Sequence, residues 1–236
     1  HGELGADRLA FIENDLRHVS KDHLIVLLMH IPLQDLRDRE ALQALLEPYP
    51  HTFSMSSHWH AQQHYFLGPE QGWDGPEPHH HLVQGTACGS WWRGGFDELG
   101  IPMAMMADGV PNGYSMITFD GIDYSIRYKV ARRPADYQMN IFAPEAVESA
   151  AADKAEVLVN VFAGSERSTV EMRLGRNGAW QKMERVHTVD PYYAQIIARQ
   201  NALLDKLVRL RGAEKVTDKA VDMVEREFRP LLESGM

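Results

Sequence analysis

Twelve histidines stand in this chain of 236 residues, and three of them are spaced for chemistry. His58 and His60 flank Trp59 within SMSSHWHAQQHYF, residues 54–66, and His30 follows the apolar run LIVLLM, residues 24–29. Neutral imidazole is the commonest metal ligand. In extended backbone, residues two apart point to the same side, so His58 and His60 are expected to aim both rings at one point. His64 lies further along and reads as a strand surface residue. His79-His80-His81 also invites a metal, but consecutive side chains cannot all face one ion in regular structure. That run reads as a loop leading into a strand at 82–86.

The elements around these residues decide whether they meet. Leu9, Ile12, Leu16 and Val19 recur at helical steps and predict a helix over 6–19. Residues 24–29 form a continuous apolar run, which suits a strand covered on both faces. Residues 38–46 predict a helix with Asp38 as N-cap, Ala41, Leu42, Leu45 and Leu46 buried, and Pro48 as its stop. A second strand is expected from His51 to Met55. Strand, helix, strand is a crossover that makes the two strands parallel. Ligands gather at the carboxyl ends of such strands. His30, His58 and His60 are therefore expected to converge on one sheet edge and bind metal. The reading of them as ordinary hydrogen-bonded histidines stands beside it.

The charge balance narrows the partners. A net charge of -9 gives no electrostatic reason to bind nucleic acid or an anionic membrane. No apolar run approaches the ~20 residues of a membrane span. The lone Cys88 excludes an internal disulfide. The opening HGELGADRLAF lacks the regions of a signal peptide and does not begin with Met, which reads as a processed or excised chain.

Further along, Trp91 and Trp92 in GSWWRGG suit an aromatic wall, and the Arg93 guanidinium matches a phosphoryl oxygen. Packing is the competing role. Met103, Met105 and Met106 read as core filler. Residues 114–130 predict a hairpin about Asp120-Gly121, with Ile122, Tyr124, Ile126, Tyr128 and Val130 on its buried face. Arg132-Arg133-Pro134 marks a boundary. Strands at 139–142, 156–162 and 169–174 then suggest a small all-β module, half of a sandwich. Asp190-Pro191 starts a helix whose apolar face includes Ile196, Ile197, Leu203, Leu204, Leu207 and Val208, and Thr217 caps a last one.

The segments LLMHIPL around His30 and SSHWHAQQHYFLG resemble the last two metal-binding motifs of calcineurin-like metallophosphoesterases. HHHLVQGTACGSWWRGG, ADGVPNGY, NVFAGSE (160–166) and DPYY (190–193) are similar to the downstream part of a bacterial subgroup whose catalytic domain carries a C-terminal module. The resemblance implies an α/β fold: an α+β sandwich of the metallophosphoesterase type, incomplete at its N-terminal side, over residues 1–133. A small mainly-β module with C-terminal helices would follow over 134–236. It implies hydrolysis of a phosphomonoester or phosphodiester by a hydroxide activated between two divalent cations of manganese, iron or zinc. His30 and His58 would hold one cation and His60 the other. Trp92, Arg93, Asp108 and Asn112 would border the substrate, a small-molecule or lipid-linked phosphoester. A periplasmic or secreted location is also implied.

The chain departs from the family pattern in two places. Asp-x-His, Gly-Asp with its usual partners and Gly-Asn-His-Asp/Glu are absent, and Ser57 stands where the motif has glycine. The chain thus reads as the C-terminal part of a larger enzyme, or as one that has lost catalysis. A mononuclear zinc hydrolase or lyase with three histidine ligands, and a non-catalytic binding or structural protein, are the alternatives.

Overall fold

The structure, a computed structural model, describes residues 2–89 and 104–210. Its first half is a four-stranded sheet with two helices on one face. Helix α1 (Ala6–Leu16) and helix α2 (Arg39–Leu46) flank strand β1 (Ile25–Leu28). Strands β2 (Thr52–Ser56), β3 (Gln63–Leu67) and β4 (His79–Val83) complete the sheet in the order β1-β2-β4-β3. β1 and β2 run parallel, as the crossover requires; β4 is parallel to β2, and β3 is antiparallel to β4. Leu16, Leu33, Leu36, Leu42, Leu46, Leu67 and Trp73 form the core between sheet and helices.

Several expectations are corrected here. Among the described residues β1 is an edge strand, with Val26 38% and Leu28 72% exposed, so these cover the apolar run on one face only. On α2, Gln43 is buried and Ala41 exposed, because the helix turns residues 42, 43 and 46 inward. The Asp38 carboxylate caps the other helix's entry, accepting from the N–H groups of Leu4 and Gly5 rather than from α2. His79-His80-His81 is no loop. It is the start of the central strand β4, and all three residues are buried. His64, on β3, is half-buried against His80 instead of facing solvent.

The second half is built from paired strands. β5 (Gly113–Asp120) and β6 (Asp123–Val130) pair through Asp120 and Asp123, so the turn is Gly121-Ile122, one residue later than expected. Gly121 takes φ 62 at the first central position, where a tight hairpin turn calls for glycine. β7 (Met139–Phe142) pairs with β8 (Leu158–Val161), and β9 (Glu171–Met172) with β10 (Gln181–Lys182). Among the described residues these three pairs are separate two-stranded sheets rather than half a sandwich. Met106, Val110, Tyr128, Val130 and Phe162 form a second core, with residues from both sides of 133. Helix α3 (Pro191–Leu210) begins where expected, with Asp190 Oδ1 accepting the Tyr193 N–H at 2.7 Å. The helix predicted from Thr217 and the segment carrying Trp91, Trp92, Arg93 and Met103 lie outside the described residues.

Candidate metal centre

The carboxyl ends of β1 and β2 bring two of the three histidines together. His58 Nδ1 lies 3.2 Å from His30 Nε2, with ring centroids 5.0 Å apart and planes at 74°. Both residues are exposed. Two nitrogens bound at ~2.0–2.1 Å to a tetrahedral zinc would sit ~3.3–3.4 Å apart. The pair therefore already has nearly the separation that a shared cation demands. Without one, the same two nitrogens can share only a proton.

His60 points elsewhere. Its Nδ1 is bonded to the carbonyl oxygen of Gly89. A carbonyl only accepts, so Nδ1 carries the proton and Nε2 carries the lone pair. A metal-binding histidine commonly has this arrangement, with its second ring nitrogen donating to a carbonyl or carboxylate. The expected convergence of all three rings is thus not what the structure shows. The reason lies in the backbone. His58 has φ 61 and His60 φ 53, so the segment is not extended and the two-residue rule does not apply.

This loop is held in that unusual shape by named contacts. The Trp59 N–H donates to Ser57 O at 2.6 Å, closing a three-residue turn around His58. Trp59 Nε1 donates to Asp35 Oδ2 at 2.7 Å, which ties the loop to the short 3-10 turn Leu33–Asp35 just after His30. The Ser57 N–H donates to His30 O at 3.1 Å, extending the β1–β2 pairing. Ser57 Oγ donates to Gln84 O at 3.2 Å. Ser57, at the motif's glycine position, is not itself at positive φ, whereas His58 and His60 are. Left-handed φ at such residues costs of order 1–3 kcal/mol and collects at functional sites.

Asp108 braces the end of this loop, and Asn112 the turn that carries its partner Gly89. Asp108 Oδ2 accepts from the Gln62 N–H at 2.7 Å, two residues past His60, and Oδ1 accepts from Val110 N–H at 3.0 Å. Burial pushes the Asp108 carboxyl above its ordinary range, against the pull of those hydrogen bonds. Asn112 Nδ2 donates to Ala87 O at 2.8 Å, fixing the turn that ends in Gly89, the partner of His60. Behind Asp108, Asn160 Nδ2 donates both to Asp108 O and to Asp190 Oδ2, each at 2.9 Å. Gly109 has φ 77, and a Cβ there would come within 2.3 Å of the Asp190 carboxyl carbon. ADGVPNGY, NVFAGSE and DPYY therefore meet at one point.

That meeting accords with the comparison to known families. Residues 79–223, more than half of the chain, match the family model for the C-terminal part of calcineurin-like phosphoesterases. The chain belongs to that family. No curated protein and no solved structure matches it. The calcineurin-like match begins at β4, so it contains Asp108, Asn112, Asn160 and Asp190 but lies downstream of His30, His58 and His60. Among the described residues, no group of three or more His, Cys, Asp or Glu side chains could hold a metal ion. The donor set His30–His58 fits part of a coordination sphere. Asp35 and the buried histidines of β4 had no place among the expected site residues. The one signal for the latter is two rows of polar residues at two-residue spacing: Thr52, Ser54, Ser56 on β2 and His79, His81 on β4.

Proposed function

We propose that this chain takes part in metal-dependent hydrolysis of a phosphoester, with His30 and His58 holding one divalent cation and His60 facing a second. The 3.2 Å approach of His58 Nδ1 to His30 Nε2 at the ends of two parallel strands carries this reading. A bound divalent cation supplies Lewis acidity toward a phosphoryl oxygen. The chain's own part is positional. It presents two imidazole nitrogens to one point, and it fixes the His60 tautomer through Gly89. The remaining ligands, carboxylates above all, come from outside the described residues. Arg93 carries the planar cation suited to a phosphoryl oxygen, and the preceding Trp92 an aromatic side chain suited to substrate packing. Asp108 and Asn112 brace the backbone on which His60 and its partner Gly89 sit.

The test is hydrolysis of bis(p-nitrophenyl) phosphate by the protein carrying this chain, with manganese or with a chelator, in wild type and His58→Ala. Manganese-stimulated turnover that falls at least about tenfold in the variant is expected. Absence of metal stimulation, or full activity in the variant, would sink the proposal.

A further inference from the structure

Strands β2 and β4 carry a buried chain of hydrogen bonds that the metal reading leaves unused. Thr52 Oγ1 is 2.8 Å from His79 Nδ1, and His79 Nε2 is 2.6 Å from Ser54 Oγ. Ser54 Oγ is also 2.6 Å from His81 Nδ1, and His81 Nε2 is 2.9 Å from Ser56 Oγ. The backbone N–H of Leu33 reaches the same His81 Nε2 at 3.3 Å.

An amide N–H only donates, so His81 Nε2 accepts and its proton sits on Nδ1. That Nδ1–H donates to Ser54 Oγ. Ser54 turns its own hydroxyl proton to His79 Nε2, and His79 Nδ1–H donates to Thr52. Every bond in the chain then points the same way, and both rings are neutral with one tautomer each. A half-satisfied network of this kind would be costly in the interior, whereas here each ring nitrogen has a partner.

The end of the chain lies under the candidate centre. His81 Nε2 holds Leu33, three residues after His30, and Ser56, two residues before His58. One imidazole nitrogen thus touches the feet of both histidine-bearing loops. We propose that His81 is a positioning residue that sets the separation of the His30–His58 pair, with Ser54 and His79 behind it fixing its tautomer. The inference rests on the reading of that pair as metal ligands.

The test titrates cobalt(II) into the 236-residue chain as wild type, His81→Asn, His81→Gln and Ser54→Ala. The visible absorption of the ion reports affinity and ligand geometry, and circular dichroism reports the fold. Asparagine keeps a donor near the place of Nδ1 but leaves Leu33 without an acceptor, while glutamine carries an oxygen near the place of Nε2. Cobalt binding weakened at least about tenfold and an altered absorption band are expected in His81→Asn, with most of both restored in His81→Gln. Wild-type affinity and band in His81→Asn would overturn the inference. The metal-free protein gives a separate readout in nitrogen-15 histidine spectra and Leu33 amide exchange. An Nδ1-protonated His81 and a slowly exchanging Leu33 amide that turns fast in His81→Asn or Ser54→Ala support the positioning role. The opposite tautomer, or Leu33 exchange unmoved in both variants, overturns it. If wild type takes up no cobalt while these metal-free results hold, the metal reading falls and the positioning of the loop stands.

Discussion

The histidines of the two loops and those of strand β4 are the same residue in opposite circumstances. His30 and His58 are exposed, with two ring nitrogens facing each other 3.2 Å apart, and His58 and His60 hold left-handed backbone. His79, His80 and His81 are buried in regular extended backbone with every ring nitrogen partnered. His80, on the opposite face of the sheet, lies between His64 Nδ1 at 2.9 Å and the Tyr124 hydroxyl at 2.7 Å, stacked on Phe66. A histidine whose partners satisfy both nitrogens is a structural polar group. His58 differs in combining left-handed backbone with a ring nitrogen that faces another exposed ring, that of His30.

The largest expected effect falls on the buried set. Ser54→Val removes the common partner of His79 Nε2 and His81 Nδ1, leaving two orphaned buried groups at roughly 1–3 kcal/mol each. Urea unfolding should show a midpoint far below wild type; a change within about 0.5 kcal/mol would mean that the chain of bonds contributes nothing to stability.

Acid should act on the same set. Burial, with help from the neighbouring His81, lowers His79 to about 3; burial, with neighbouring histidines and Arg167, lowers His80 to about 3; and burial lowers His81 to about 4, against an ordinary 6.5. The folded values lie below the unfolded ones, so the unfolded chain takes up protons first as pH falls. Stability is full above about 6.5 and declines through the interval down to about 4 and 3. Thermal midpoints measured from pH 7.5 to 4 should fall steadily, and His80→Phe should flatten the slope. A profile flat to pH 4 would contradict the neutral buried state.

The smallest effect is opposite in sign. His58→Gly relieves left-handed backbone and should raise stability by about 1 kcal/mol, while abolishing the pair with His30. A destabilised variant would show that the loop's contacts, rather than its strain, dominate.

Much of the sheet was legible in the residues. The apolar run ending at His30, the helix before Pro48 and the strand before Ser57 sufficed to place β1 and β2 side by side and parallel. The hairpin β5–β6 and the Asp190 cap followed from alternation and turn chemistry. The three-histidine convergence did not follow. It assumed extended backbone at 58–60, and positive φ at non-glycine residues leaves no compositional trace when Trp59 and Asp35 enforce it from 24 residues away in sequence. The run 79–81 misled for the converse reason. Three histidines look unfit for a central strand until the serines and threonine of β2 are seen to alternate in step with them. Hydroxyl groups at two-residue spacing on one strand and imidazoles on another form a pattern only when the strands are paired. Asp108 and Asn112 bond backbone groups of the loops they border, and such partners leave no spacing to read in the sequence.

The central claim is that the loop histidines bind metal and the strand histidines do not. Zinc uptake by the purified chain, measured by calorimetry for wild type, His58→Ala and His80→Phe, tests it most directly. Uptake by wild type and by His80→Phe, abolished in His58→Ala, is the predicted result. Uptake that survives in His58→Ala, or that disappears in a folded His80→Phe, would contradict it.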